Sequence, residues 1–285
     1  MNSPNDINIP FFSYGIFQPG SIGHSRIEKY IKKVTPNCKI AGELRIRDGL
    51  PILNPNNKYT QVEGCLIEFN PDDIMSAYES INAIEPNNQY RWGETVVEVD
   101  NININTNVLF GKKPNKGSEP YHNIHWHGKD DSLFTTAIEL INKIIHERHE
   151  DESHTERFFR LQMAYLFLWS IIERYVSLRY YLKGKHIRKN KILKLAEEPQ
   201  FCESLKRIVT EKRTVQRADD PDKHERLDPL DPKKSIDYYY QIRSNIMHRG
   251  KGIHQDIRRV ESSLKEMLEI FTEVLKSIGV RLPTY

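Results

Sequence analysis

The chain predicts two domains of different class. A small α+β domain, read as a partly closed mixed barrel, covers residues 1–113, and an all-α helical bundle covers residues 132–285. A linker at 114–131 joins them. Three observations predict this. Short runs that alternate apolar and polar residues fill the first part, and three-to-four periodicity fills the second. Turn clusters at Asp48-Gly49 and Asn54-Pro55-Asn56-Asn57 punctuate the first part. Charge divides the same way: residues 156–285 carry 27 Lys+Arg and 18 Asp+Glu, net +9, whereas residues 1–155 carry 15 and 21, net −6.

In the first part, alternation predicts strands at Ile9–Tyr14, Cys38–Ile46, Thr60–Phe69, Tyr90–Val99 and Thr106–Phe110. Two short helices are expected, near Ser21–Lys33 and Pro71–Asn82. The Asn-rich patch Asn101–Asn107 reads as a hairpin or loop. In the second part, Asp131 or Ser132 caps the start of a helix. A long helix follows from about Thr155 to Lys183, with Phe158, Leu161, Tyr165, Leu168, Trp169, Ile172, Tyr175 and Val176 at helical spacing. Further helices are expected at Ile187–Ala196 and Phe201–Lys212. Arg217–Pro232 is acidic, Pro-bearing and aperiodic, and reads as a loop. Helix resumes from Lys233 to Arg249, where Gly250 and Gly252 end it. A last helix spans His254–Ile278. Helices in this number and order make a bundle.

Composition narrows the function classes. The chain has 285 residues, and a mean hydropathy of −0.64 suits two water-facing domains. Cys38, Cys65 and Cys202 are odd in number and widely spaced, which predicts free thiols in a reducing, cytoplasmic setting. No signal peptide and no apolar run of about 18 residues is present, so no membrane partner is expected. The cluster His122-Asn123-Ile124-His125-Trp126-His127 has His-x-His spacing. No carboxylate or Cys falls in register with it, although Asp130 and Asp131 follow, so it reads as a polar hinge. No metal and no cofactor is expected.

The segment Ile242-Arg243-Ser244-Asn245-Ile246-Met247-His248-Arg249-Gly250 places Arg and His five positions apart near a helix end. These groups suit phosphodiester chemistry. His moves a proton near neutral pH, and Arg holds a phosphate through a planar fork. A second match, Arg249 to His254, spans Gly250-Lys251-Gly252 and lacks the helical setting. Lys183, Lys185, Arg188, Lys189, Lys191 and Lys194 form the densest basic run. It is either a track for a phosphate backbone or a solvated helix face.

This part resembles the HEPN superfamily, in particular its Apea-like branch. Arg243-Ser244-Asn245-Ile246-Met247-His248-Arg249-Gly250 matches the family's Arg-polar-x-x-x-His signature before a glycine turn. Phe167-Leu168-Trp169-Ser170-Ile171-Ile172-Glu173 matches its early helix with an embedded acidic residue. The likeness covers roughly residues 130–280. It implies a metal-independent endoribonuclease acting as a homodimer on RNA. His248 is then the acid/base and Arg243 the phosphate clamp, while Glu173 orients His248 or pairs with Arg243. Asn245, Arg249, Lys189 and Lys191 are the candidate RNA contacts. Five helical residues advance about 500°, which leaves Arg243 and His248 about 140° apart on one helix. Pairing across a two-fold axis would bring the two chemistries together.

The first part resembles the gamma-glutamylcyclotransferase-like fold. Phe12-Ser13-Tyr14-Gly15-Ile16-Phe17-Gln18-Pro19-Gly20 looks like that family's opening turn. Ile40-Ala41-Gly42-Glu43-Leu44, Gly49-Leu50-Pro51-Ile52-Leu53 and Val62-Glu63-Gly64-Cys65-Leu66 continue its order of glycine-bearing strands. Glu85-Pro86-Asn87-Asn88-Gln89-Tyr90-Arg91 sits where the family has its catalytic glutamate. The resemblance implies that Tyr14, Gly15, Ile16 and Phe17 line a pocket and that Glu85 is a base. Such a pocket either retains cyclotransferase chemistry or senses a small molecule or a protein trigger.

Together these readings predict an RNA-cleaving effector of a prokaryotic defence or toxin system, with the first domain as its sensor or restraint. The alternatives are a gamma-glutamyl cyclotransferase with a helical dimerisation module, and a non-catalytic ligand-sensing adaptor.

Overall fold

The computed structural model describes residues 3–85, 88–100, 102–128, 131–147, 151–217, 220, 222–248, 257–280 and 282, with the side chain of His248 outside that set. The chain forms two compact units. Residues 1–132 and 177–181 make the first, and residues 133–176 and 182–285 make the second. No described helix is long and apolar enough to cross a membrane.

The first unit is built on β1 (Phe11–Ser13), β2 (Ile31–Ala41), β5 (Gln61–Phe69), β6 (Tyr90–Val99) and β7 (Ile102–Gly111). They form one sheet in the order β2-β5-β1-β7-β6. The short β1 lies in the middle, antiparallel to β5 and parallel to β7. Its residues Phe11, Phe12 and Ser13 are all buried, as a strand covered on both faces must be. A second sheet joins β3 (Glu43–Arg47), β4 (Leu50–Asn54) and β8 (Glu119–Pro120) in the order β4-β3-β8. Helix α1 (Ile74–Asn82) buries Ala77, Tyr78 and Ile81. The Tyr78 ring meets Phe69 and Trp92 edge-on at 5.6 and 5.3 Å.

Three expectations for this unit need correction. The barrel is not closed: strands β2 and β6 come within 8 Å of each other but exchange no ladder hydrogen bonds. The single strand expected at Cys38–Ile46 is two strands, broken at Gly42. There φ is +152°, a region open to glycine, and a Cβ would stand 2.6 Å from Leu53 Cδ1. The helix expected at Ser21–Lys33 is two 3-10 turns, His24–Arg26 and Glu28–Tyr30, because the β-branched Ile31, Val34 and Thr35 already belong to β2. The Asn-rich patch forms the hairpin expected of it, and the strand expected from Thr106 begins earlier, at Ile102. Val99 of β6 stands opposite Ile102, where β7 starts, and Asp100 after β6 has φ +52°. Asn107 is buried there because its amide donates to Tyr78 Oη at 2.9 Å and to Asp6 O at 2.7 Å.

The second unit holds α2 (Ser132–His146) from Leu133 on, α3 (His154–Arg179) as far as Val176, α4 (Ile187–Leu195), α5 (Pro199–Ile208), α6 (Pro232–His248) and α7 (Ile257–Ser277). The start of α3 is a capping box. Glu156 N donates to Ser153 Oγ at 3.2 Å, and Ser153 N donates to Glu156 Oε2 at 2.8 Å. Helix α6 opens on Asp231, whose Oδ1 accepts from Lys234 N at 3.1 Å, with Pro232 at the first position. The apolar stripe of α7, from Val260 to Leu275, is buried.

This unit is not all-α. Arg213–Gln216 (β9), between the helix expected to end at Lys212 and the loop expected from Arg217, pairs antiparallel with His224–Leu227 (β10), which lies inside that expected loop. Val215 and Leu227 are buried while their neighbours alternate outward. The helix expected to reach Lys212 stops at Ile208, ahead of the β-branched Val209 and Thr210. The glycine caps expected after α6, and His254, lie outside the described residues.

Candidate active site

The first unit contains a small open pocket; the free space in and in front of it, open solvent included, is about 350 Å³. Its lining comes from the end of β1 and the turn after it (Ser13 to Phe17), from Leu50 and Pro51 of β4, and from Glu85, Tyr90 and Leu109. Tyr14, Gly15, Ile16, Phe17 and Glu85 are thus brought together, from positions up to 71 residues apart in the chain.

The turn is held by its carbonyls. Gln18 N donates to Gly15 O at 3.1 Å, Gly23 N donates to Ile16 O at 2.9 Å, and His24 Nδ1 stands 2.9 Å from Phe17 O. Among the described residues, the amides of Gly15, Ile16 and Phe17 donate to no protein group. Consecutive unpaired N–H groups in a turn make a concavity suited to an anion. Tyr14 is a brace rather than a ligand group. Its hydroxyl donates to Leu109 O at 2.6 Å and accepts from Leu53 N at 3.3 Å. Burial holds its phenol neutral, far above the usual range. Tyr90 is used in the same way, donating to Pro51 O at 3.2 Å.

Glu85 reaches the pocket from the turn that follows α1, where its N–H still donates to Ile81 O at 3.3 Å. Glu85 is half-buried, and it lines the pocket. Burial raises its pKa from 4.5 to about 8, and the Arg26 guanidinium opposes that rise. Arg26 is itself 4% exposed. It donates to Ser80 O at 3.1 Å and to the carbonyls of Ser177 and Tyr180 at 2.7 and 3.0 Å, all within this unit. Sequence reasoning missed Arg26, because an arginine near a turn reads as a surface residue until its carbonyl partners are seen. A carboxyl with a raised pKa next to free backbone donors can exchange a proton with an amine while the donors hold an anionic group.

The helical unit gathers a second cluster. Arg243 of α6 lies 3.5 Å from Glu173 of α3, and Arg188 of α4 pairs with the other oxygen of the same carboxylate. The Arg243 guanidinium also covers the Tyr240 ring at 5.6 Å, and Tyr240 meets Trp169 edge-on at 5.4 Å. Asn245 turns elsewhere: its amide donates to Gln216 O at 2.8 Å and its oxygen accepts from Gln241 at 2.8 Å. Two helical residues advance about 200°, so Asn245 and Arg243 leave α6 on opposite sides. Lys189 stands 3.8 Å from Asp237, and Lys191 follows on the same helix. His248 is the last residue of α6, but its side chain and all of Arg249 lie outside the described residues.

No family model, no curated protein and no solved structure matches this chain.

The histidine cluster takes a form of its own. His125 Nδ1 is 3.2 Å from Glu63 Oε1, and its ring stacks on His127 at 4.1 Å. Among the described residues, no group of three or more such side chains is placed to hold a metal ion. Asp130 lies outside them.

Proposed function

We propose that the first unit binds an amino-acid-like ligand, one carrying both an amine and a carboxylate, and processes it as a gamma-glutamyl cyclotransferase would. The carrying observation is that Glu85, its pKa raised by burial, lines the same pocket as the Tyr14–Phe17 turn. The unpaired amides of Gly15, Ile16 and Phe17 receive the ligand carboxylate. Glu85 takes a proton from the α-amine, and the freed nitrogen attacks the γ-carbonyl. A new C–N bond closes the five-membered ring, the old amide C–N bond breaks, and the leaving amine recovers a proton. The test is release of 5-oxoproline from gamma-glutamyl dipeptides. Wild type should release it and Glu85→Gln should not. Equal release by both, or none by either, sinks the catalytic reading. Ligand binding without turnover would make the pocket a sensor.

A second reading belongs to the helical unit, and the Arg243–Glu173–Arg188 cluster favours it. A phosphate entering there would exchange one anion for another between two guanidinium groups. On this reading the unit is a metal-independent endoribonuclease, the effector of a defence or toxin system. His248 moves the proton of the 2′-hydroxyl and Arg243 clamps the phosphate. Phe159, Met163 and Phe167 leave an exposed apolar stripe along α3 at i, i+4 and i+8, a surface that a second copy would cover. Induced wild-type protein should arrest bacterial growth and fragment RNA to 2′,3′-cyclic phosphate ends, and Arg243→Ala and His248→Ala should do neither. Identical growth and intact RNA for all three would refute it.

A further inference from the structure

Ser13 ends β1 and lines the Glu85 pocket. It is 2% exposed, and its hydroxyl is enclosed without a hydrogen-bond partner. The sheet sets its position, not its own side chain. Ser13 is in register with Cys65 of β5, and its carbonyl oxygen lies so close to Gly64 that a Cβ there would stand 2.3 Å away. Strand alternation puts Ser13 on the same face as Phe11, whose ring packs on Phe17 and Trp92 at 6.1 and 5.6 Å.

An enclosed hydroxyl without a partner has given up hydrogen bonds to water and regained none. Alanine would fill the same space without that cost. The two phenols of the pocket are committed to protein carbonyls, Tyr14 to Leu109 and Tyr90 to Pro51. The polar groups left to meet a ligand are therefore the Glu85 carboxyl, the three turn amides and the Ser13 hydroxyl.

We propose that Ser13 is a specificity-determining residue of this pocket, its hydroxyl hydrogen-bonding to the polar head of the bound ligand. The inference rests on the ligand class proposed above. A site that buries a hydroxyl for its ligand discriminates against ligands that leave it unpaired. Ser13 thus selects for the polar head, while the apolar walls contributed by Phe11, Ile16 and Leu50 tolerate variation.

The experiment uses the full chain and gamma-glutamyl-alanine as probe, with binding followed by calorimetry and the thermal midpoint of free protein measured alongside. Ser13→Ala should weaken binding about tenfold, the size of one lost buried hydrogen bond. Its free-state midpoint should stay level or rise, because the orphan hydroxyl is gone. Ser13→Thr, which keeps a hydroxyl, should bind within a few-fold of wild type and guards against a folding artefact in the alanine variant. Unchanged affinity in Ser13→Ala overturns the inference and leaves the pocket reading intact. A lowered free-state midpoint accompanying the lost affinity also overturns it, since that is the mark of a structural serine. Failure of wild type to bind the probe overturns the pocket reading, and the role of Ser13 with it.

Discussion

At the scale of single residues, Glu85 makes the sharpest demand on solution behaviour. Its folded pKa is raised from 4.5 to about 8 by burial. Below pH 4.5 both the folded and the unfolded chain hold the proton, and Glu85 adds no pH dependence. As pH rises, the unfolded chain ionises first, so stability falls progressively until the folded carboxyl ionises near pH 8. Glu85→Gln removes that slope, and thermal midpoints measured across the interval should decline less steeply for the variant. Parallel declines would show that the carboxyl is not held neutral. The same shift sets the rate profile. A base must be ionised to act, so kcat/KM for 5-oxoproline release should climb with pH and level off above about 8. Gly64 makes a separate demand. Any Cβ there would sit 2.3 Å from Ser13 O and 2.9 Å from Phe12 Cζ, so the central strand would have to move. Gly64→Ala should cost about 3 kcal/mol by urea denaturation, with loss of ligand binding because Ser13 shifts with its strand. A cost below about 1 kcal/mol would mean that β1 and β5 can separate freely.

At the scale of elements, arginines placed inside do what surface-charge reasoning does not foresee. Arg157, in the first turn of α3, is 8% exposed. It donates to the carbonyls of Ile144 and Ile145 at 2.6 and 2.8 Å, which closes the C-terminal end of α2. It also lies 3.6 Å from Glu261 of α7. Arg157→Met would leave buried carbonyls without donors and should lower stability by about 3 kcal/mol. A loss under about 1 kcal/mol in a chemical melt would mean that water caps α2 instead. Strand β6 was legible to the residue because Tyr90–Val99 is rich in aromatic and β-branched residues, and the helices of the second unit because their apolar positions recur over several turns. The hairpin of β9 and β10 was not, since two four-residue strands with charged outward positions carry too short a period. The division of Cys38–Ile46 at Gly42 was also hidden, because the steric reason, Leu53, lies on another strand. For the pocket, Tyr14–Phe17 and Glu85 stood out as motifs in the sequence and line it, whereas Ser13 and Arg26 depend on what surrounds them.

At the scale of the whole molecule, the first unit is discontinuous in sequence, and that has a consequence for cutting the chain. Its main part ends at residue 132, yet residues 177–181 belong to it. That short segment supplies two of the three carbonyl acceptors of Arg26, Ser177 and Tyr180, and places the Tyr181 ring 5.3 Å from the guanidinium. A fragment of residues 1–132 keeps the β-sheet, α1 and the Glu85 pocket lining but leaves Arg26 with Ser80 O alone. A buried guanidinium deprived of acceptors is costly, on the order of 2–4 kcal/mol. The fragment should therefore unfold at lower urea than the first unit does within the full chain. Replacing Arg26 by Met in the fragment should recover part of the difference, because no unmet charge remains, whereas Arg26→Met in the full chain should destabilise. That opposite sign is the discriminating result. If the substitution lowers stability equally in both backgrounds, the segment at 177–181 is not what keeps Arg26 inside. The electrostatics of the pocket follow the same logic. Arg26 is the charge that opposes the upward shift of Glu85. Its loss leaves burial unopposed, so in the full-length Arg26→Met variant the pH dependence that Glu85 imposes should move to higher pH.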